Sequence, residues 1–150
     1  MMENFHIKPI DPHGQHLEHL SDEARQDGYF FMDRLAAEVR SGENGFQRPG
    51  ECFLGAIADG MLIGCGGLNR DPYVTGVVGR LRHLYVLRAY RKQGIGAALV
   101  QQLLEHSKSS FEVVRLRTSD ASAGLFYDAL GFERVEHQSA THRLFTKLRH

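Results

Sequence analysis

The chain has 150 residues, 42% hydrophobic and 24% charged, with 18 basic and 18 acidic side chains and a formal net charge of zero. That is enough chain for a domain with a real core, and the balance excludes bulk attraction to nucleic acid or an anionic membrane. No apolar run reaches the length of a membrane span. The start, Met-Met-Glu-Asn-Phe-His, lacks the basic-then-apolar pattern of a secretory leader, and Cys52 and Cys65 fit neither a disulfide framework nor a zinc pattern. A reducing, cytoplasmic setting is expected, with Cys65 a small core residue.

In chain order, Phe5 to Ile10 reads as a strand stopped by Asp11-Pro12, followed by helices over His13 to Gln26 and Phe30 to Ser41 with Gly28 between them. Phe53 to Ala58 and Met61 to Leu68 flank Asp59-Gly60, a hairpin signal. After a turn-rich loop, Asn69 to Tyr73, come a strand over Val77 to Val86, a polar turn, and a helix to Lys108. Val113 to Arg117 reads as a strand, Asp120 to Leu130 as a helix closed by Gly131, and Phe132 to Gln138 and His142 to Leu148 as the last strands. This β-α-α-β-β-β-α-β-α-β-β order predicts an α/β layout around one sheet.

The most informative stretch is Arg91-Lys92-Gln93-Gly94-Ile95-Gly96-Ala97. Ile95, Leu99 and Leu103 recur at helical spacing, so both glycines fall in the first turn of a helix. Glycine inside a helix costs about 0.8–1.0 kcal/mol relative to alanine. The pair is explained if backbone N–H groups must approach something negative, since a helix N-terminus offers free amides and the positive end of the dipole. A turn that permits close helix–sheet packing is the plainer explanation. A dinucleotide fingerprint fits poorly: the third glycine is missing, and the strand ends about seven residues before Gly94, too far for the tight strand–turn–helix connection. A nucleotide-triphosphate loop is excluded, because no G-x-x-x-x-G-K-(S/T) occurs.

Arg91-Lys92-Gln93-Gly94-Ile95-Gly96 resembles the (Gln/Arg)-x-x-Gly-x-(Gly/Ala) signature of the GNAT acetyltransferase superfamily. A second block, Asp120-Ala121-Ser122-Ala123-Gly124-Leu125-Phe126-Tyr127-Asp128-Ala129-Leu130-Gly131-Phe132, resembles that family's Asn-x-x-Ala-x-x-(Leu/Phe)-Tyr-x-x-Leu-Gly-Phe segment, and the two occur in the expected order. The resemblance implies a single-domain fold over residues 1–150. Its mixed, mostly antiparallel sheet would have about seven strands flanked by four helices, splayed between the fourth and fifth strands. It implies an acetyl-CoA-dependent N-acetyltransferase, without a metal, acting on a small-molecule or peptide amine by direct transfer in a ternary complex. Dimers are common in the family, so a homodimer is one expected assembly. A non-catalytic acyl-CoA-binding sensor on the same fold is the alternative.

The resemblance also assigns residues. The pyrophosphate would sit on the amides of Arg91, Lys92, Gln93, Gly94, Ile95, Gly96 and Ala97. The pantetheine arm would meet main-chain groups near Leu84 and Val86. Tyr127 would be the general acid that protonates the departing thiolate; with an ordinary pKa of about 10 it holds its proton at neutral pH. A packed helix tyrosine is the other reading of it. Asp120 stands where asparagine is common, as a pantetheine contact, a helix N-cap, or both. The family's strand glutamate falls here on Arg80, and arginine is no base at neutral pH. His83 is the remaining strand candidate, although alternation places it opposite Arg80, Arg82 and Leu84. Glu38, Glu51 or Asp71 acting through water are further options.

Arg80 and Arg82 share one strand face, as do Arg115 and Arg117 on the next. They are expected to bind an anionic group of the acceptor or the coenzyme's phosphates, or else to pair with carboxylates. Tyr29 and Phe30 open the second helix, at the border of the family's acceptor pocket. His13, His16 and His19 read as a surface face rather than a metal site.

Overall fold

Among the described residues, seven strands and four α-helices follow one another in the predicted order: β1 (His6–Pro9), α1 (Glu18–Gln26), α2 (Phe31–Ser41), β2 (Cys52–Ala58), β3 (Met61–Arg70), β4 (Val78–Val86), α3 (Ile95–Ser107), β5 (Val113–Leu116), α4 (Ala121–Ala129), β6 (Glu133–His137) and β7 (Ala140–Phe145). The computed structural model describes residues 4–13 and 17–146. Helix α1 is described from Glu18, and His13, where the sequence predicts its start, lies instead in a turn in which the Asp11 carboxylate accepts from the His13 amide. The predicted run to Leu148 ends outside the described residues. None of the described helices is long and apolar enough to cross a membrane.

The sheet order is β1-β2-β3-β4-β5-β7-β6. Every neighbouring pair is antiparallel except β4–β5. Asp59 and Gly60 both adopt positive φ, as a tight two-residue hairpin requires. Ile95, Leu99, Val100 and Leu103 of α3 are buried on one side of the sheet. The α1–α2 pair covers the other with Leu20, Ala24, Met32, Leu35 and Val39. Tyr85 of β4 reaches α1, where its hydroxyl donates to Glu23 at 2.6 Å.

Two irregularities of β4 create the cleft. The first is a bulge. Cys65 pairs with Tyr85 and Gly67 with Arg82, so His83 and Leu84 together stand opposite Gly66. His83 takes φ +60°, a left-handed conformation that costs a non-glycine residue about 1–3 kcal/mol. Glycines in β3 make room for it: a Cβ on Gly66 would come within 3.2 Å of Leu84, and one on Gly67 within 2.6 Å of Phe46. The bulge overturns the alternation expected for this strand. Arg82 and His83 now face the same side, Arg82 bonded to Glu38 of α2 and the His83 ring 6.4 Å from that of Phe31. Leu84 turns instead toward Leu103 of α3.

The second irregularity is the expected splay. β4 and β5 pair only over Val78–Arg80 and Val113–Arg115. From Leu81 to Val86 the strand has no strand partner on that side among the described residues.

Candidate active site

After β4 the chain makes a short 3-10 turn, Arg88–Tyr90, and enters α3 through two left-handed residues, Lys92 (φ +63°) and Gly94 (φ +84°). The first bond into the helix is Ala98 N–H to the Gly94 carbonyl, and no side chain caps the end. The amides of Lys92 through Ala97 accordingly donate to no protein atom among the described residues. Above Gly94 there is open space, and a Cβ on Gly96 would meet nothing nearer than Phe126 at 3.4 Å, an ordinary contact. Close packing therefore does not require glycine at position 96.

The loop departs from the sequence expectation at two points. The Arg91 amide is committed to the Arg88 carbonyl, and its Nε donates to the Val86 carbonyl at 2.9 Å while the guanidinium stacks on Tyr85. Arg91 is thus a brace between loop and strand, although the Val86 oxygen keeps a second lone pair. Gln93 is the one residue between Arg91 and Ala97 that does not line the cleft, and its buried Oε1 has no hydrogen-bond partner among the described residues.

The cleft has a volume of about 920 Å³, and its walls come from residues 28–31 and Arg34, from β4 between Arg80 and Val86, from the loop, and from residues 116–127. Tyr127 is 6% exposed, with ring neighbours Phe126, Phe132 and His142. Its helix ends in a Schellman arrangement: Phe132 N–H bonds the Tyr127 carbonyl and Gly131 N–H that of Asp128, with Gly131 at φ +96°. The Tyr127 hydroxyl makes no hydrogen bond among the described residues, and burial pushes its pKa up. It is therefore a protonated donor lining the cavity.

Asp120 caps α4, as the plainer reading had it: Oδ1 accepts from Ser122 N–H at 2.9 Å. Oδ2 accepts from the Tyr29 hydroxyl at 2.9 Å, tying the α1–α2 connection to α4 across the cleft. That bond, with burial second, raises the Tyr29 pKa. Phe30, beside it, is 55% exposed.

His83 lines the cleft yet is only 7% exposed, and neither ring nitrogen makes a well-formed hydrogen bond among the described residues, the Phe31 main chain being the one hydrogen-bonding group that acts on the ring. Burial, reinforced by the charge of Arg82 and, less, of Arg34, pushes its pKa down to about 3. At neutral pH it is a neutral imidazole with a free lone pair. The three carboxylates weighed as water-mediated bases do not line the cleft. Glu51 accepts from the Arg48 and Arg70 amides. Burial pushes the Glu38 carboxyl up, but its bonds from Arg82 and Asn44 outweigh this and keep it below its ordinary range.

The expected four-arginine face is broken up. Arg80 and Arg115 share the fully buried Asp71 carboxylate, each at 3.3 Å, and Arg115 does not line the cleft. Its Nη2 donates to the Ser139 hydroxyl. Burial lowers the Arg80 pKa, partly offset by Asp71, and its guanidinium stacks 4.7 Å from the Tyr73 ring. Arg82 is held by Glu38 at 2.8 Å. Arg117 is exposed in the cleft and pairs with no described carboxylate. Sequence reasoning missed Arg34, equally unpaired there; its spacing with Phe31 and Glu38 on one α2 face was the available signal. His13 bonds Asp11 and His19 donates to the Leu62 carbonyl, so they diverge; His16 lies outside the described residues.

Known proteins match this arrangement. The model of the acetyltransferase (GNAT) domain matches residues 49–134, from before β2 into β6. The N-alpha-acetyltransferase RimI of Mycobacterium tuberculosis is 29% identical over 87 residues, 58% of this chain and 55% of that protein. The chain spans about half or less of the length of the curated relatives it matches. Among solved structures, a candidate acetyltransferase from Exiguobacterium sp. 255-15 superposes with a TM-score of 0.85 at 28% identity, covering 95% of this chain and 94% of that one. The PaiA N-acetyltransferase of Thermoplasma acidophilum, solved with coenzyme A, shares the fold: TM-score 0.66, 18% identity, 94% and 97% covered.

Proposed function

The chain belongs to the GNAT acetyltransferase family, and we propose that it is an acetyl-CoA-dependent N-acetyltransferase that transfers directly to a primary amine in a ternary complex. One observation carries the reading: the amides from Lys92 to Ala97 are uncommitted, at the N-terminus of α3, beneath open space at Gly94. Such a cradle fits a diphosphate. Bound there, acetyl-CoA supplies an acetyl group activated as a thioester. The Lys92–Ala97 amides hold the phosphates, and the unpaired edge of β4 from Leu81 to Val86 offers main-chain groups to the arm. Tyr127 keeps a proton on its hydroxyl beyond neutral pH and serves as the acid. His83 accepts a hydrogen bond from the incoming amine and orients it. The low basicity of the buried ring suits an amine that arrives neutral. The reading takes residues 1–150 as one domain in the cytoplasm, using no metal, nucleic acid or membrane.

The absence of a carboxylate among the described cleft residues next to His83 favours a second reading, an acyl-CoA sensor without turnover. Thermal unfolding with acetyl-CoA against NADPH tests the coenzyme: at about 100 times Kd the ligand adds roughly 2.7 kcal/mol, and equal response to NADPH contradicts the reading. Thiol release on adding amines separates enzyme from sensor.

A further inference from the structure

Away from the phosphate loop, the cleft is lined by four arginines, Arg34, Arg80, Arg82 and Arg117, against one carboxylate, Asp120. Arg34, from α2, and Arg117, just past β5, reach the cavity and make no ion pair among the described residues. The carboxylates that neutralise Arg80 and Arg82, Asp71 and Glu38, do not line the cavity. Asp120, the only acidic residue among the described lining residues, already accepts from Tyr29 and from the start of α4. An acceptor with a second positive charge meets several guanidinium groups and one carboxylate, Asp120, whose oxygens are already engaged by neutral donors. Repulsion of this kind sets specificity as firmly as attraction does.

His83 supplies an independent sign that this end receives a ligand. A buried imidazole with no well-formed hydrogen bond among the described residues, and only the Phe31 main chain acting on it, is costly, and its left-handed backbone adds strain. Arg34 and Arg82 are the guanidinium groups whose charge reaches it.

We infer that the acceptor is an amine that also carries an anionic group, a carboxylate or phosphate, held by Arg34 and Arg117 while the amine faces His83. The inference rests on the acetyltransferase reading and names its substrate class. Polyamines and aminoglycosides, which multiply positive charge, are the wrong acceptors for this cleft.

The test uses matched acceptors: free amino acids against their carboxamides, O-phosphoethanolamine against ethanolamine, and spermidine and kanamycin. Thiol release from acetyl-CoA is measured together with thermal stabilisation by acetyl-CoA alone. The anionic member of each reactive pair should have a kcat/KM higher by roughly tenfold; the amino-acid pairs read carboxylate and the ethanolamine pair phosphate. Arg34→Gln and Arg117→Gln should each raise the acceptor KM by more than they lower kcat, Arg34→Lys should recover part of the loss, and stabilisation by acetyl-CoA should persist. Equal rates within pairs, or preference for spermidine or kanamycin, overturns the anionic acceptor while leaving the coenzyme reading intact. Failure of acetyl-CoA to stabilise the wild-type protein overturns both.

Discussion

The loop from Lys92 to Ala97 and the wall around His83 line one cleft but are built in opposite ways. The loop is local: contiguous residues, two left-handed turns and a helix start expose backbone amides that nothing in the protein competes for. The wall is assembled from far-apart segments. Arg82 meets Glu38, Arg80 and Arg115 meet Asp71, and His83 is enclosed by Phe31 and Phe46. The loop binds through main chain, which tolerates changes of side chain as long as the turn forms. The wall binds through side chains, so its chemistry depends on which charges cancel.

The contrast can be broken most severely at Asp71. Asp71→Asn leaves two buried guanidinium groups without their shared partner, and chemical denaturation should show a loss of about 3–5 kcal/mol. A loss below about 1 kcal/mol would mean the pairs are as weak as surface ones. Next comes Tyr127→Phe, which should lower kcat by about 10²–10⁴-fold while leaving thermal stabilisation by acetyl-CoA in place. An unchanged kcat would assign the acid role to another group.

The third effect follows pH. The unfolded chain protonates His83 near its ordinary value of 6.5, the folded protein only near 3. Between those values the unfolded state binds more protons, so folding stability falls as pH falls. His83→Asn, which tolerates the same backbone, should remove a slope of about 1.4 kcal/mol per pH unit in denaturation measured from pH 6 to 4. Parallel curves for the two proteins would place the ring in contact with water. The smallest effect is at Gly96. Because its Cβ meets only ordinary contacts and the signature admits alanine here, Gly96→Ala should leave the free protein unharmed or more stable by up to about 1 kcal/mol and leave acetyl-CoA binding by calorimetry unchanged. A marked loss of affinity would mean that the diphosphate approaches this position more closely than a methyl group allows.

The element order, the hairpin at Asp59-Gly60, the Asp120 cap and the Gly131 stop were all legible in the sequence, because each depends on residues a few positions apart. The loop was legible for the same reason. What escaped was non-local. Strand alternation misplaced His83 and Leu84, since a bulge depends on the glycines of the neighbouring strand. The four arginines looked alike, since nothing in their spacing shows that Asp71 and Glu38 neutralise three of them. Arg34 stood unnoticed because its partner surface, β4, is distant in the chain.

The loop amides can be watched directly by NMR. Titrating the isotope-labelled protein with coenzyme A should move the backbone amide resonances of Lys92 to Ala97 furthest and slow their exchange with solvent, ahead of those on α1 and α2. If those amides keep their shifts and exchange rates while coenzyme A binds, the diphosphate is held elsewhere and the account of this cleft is wrong.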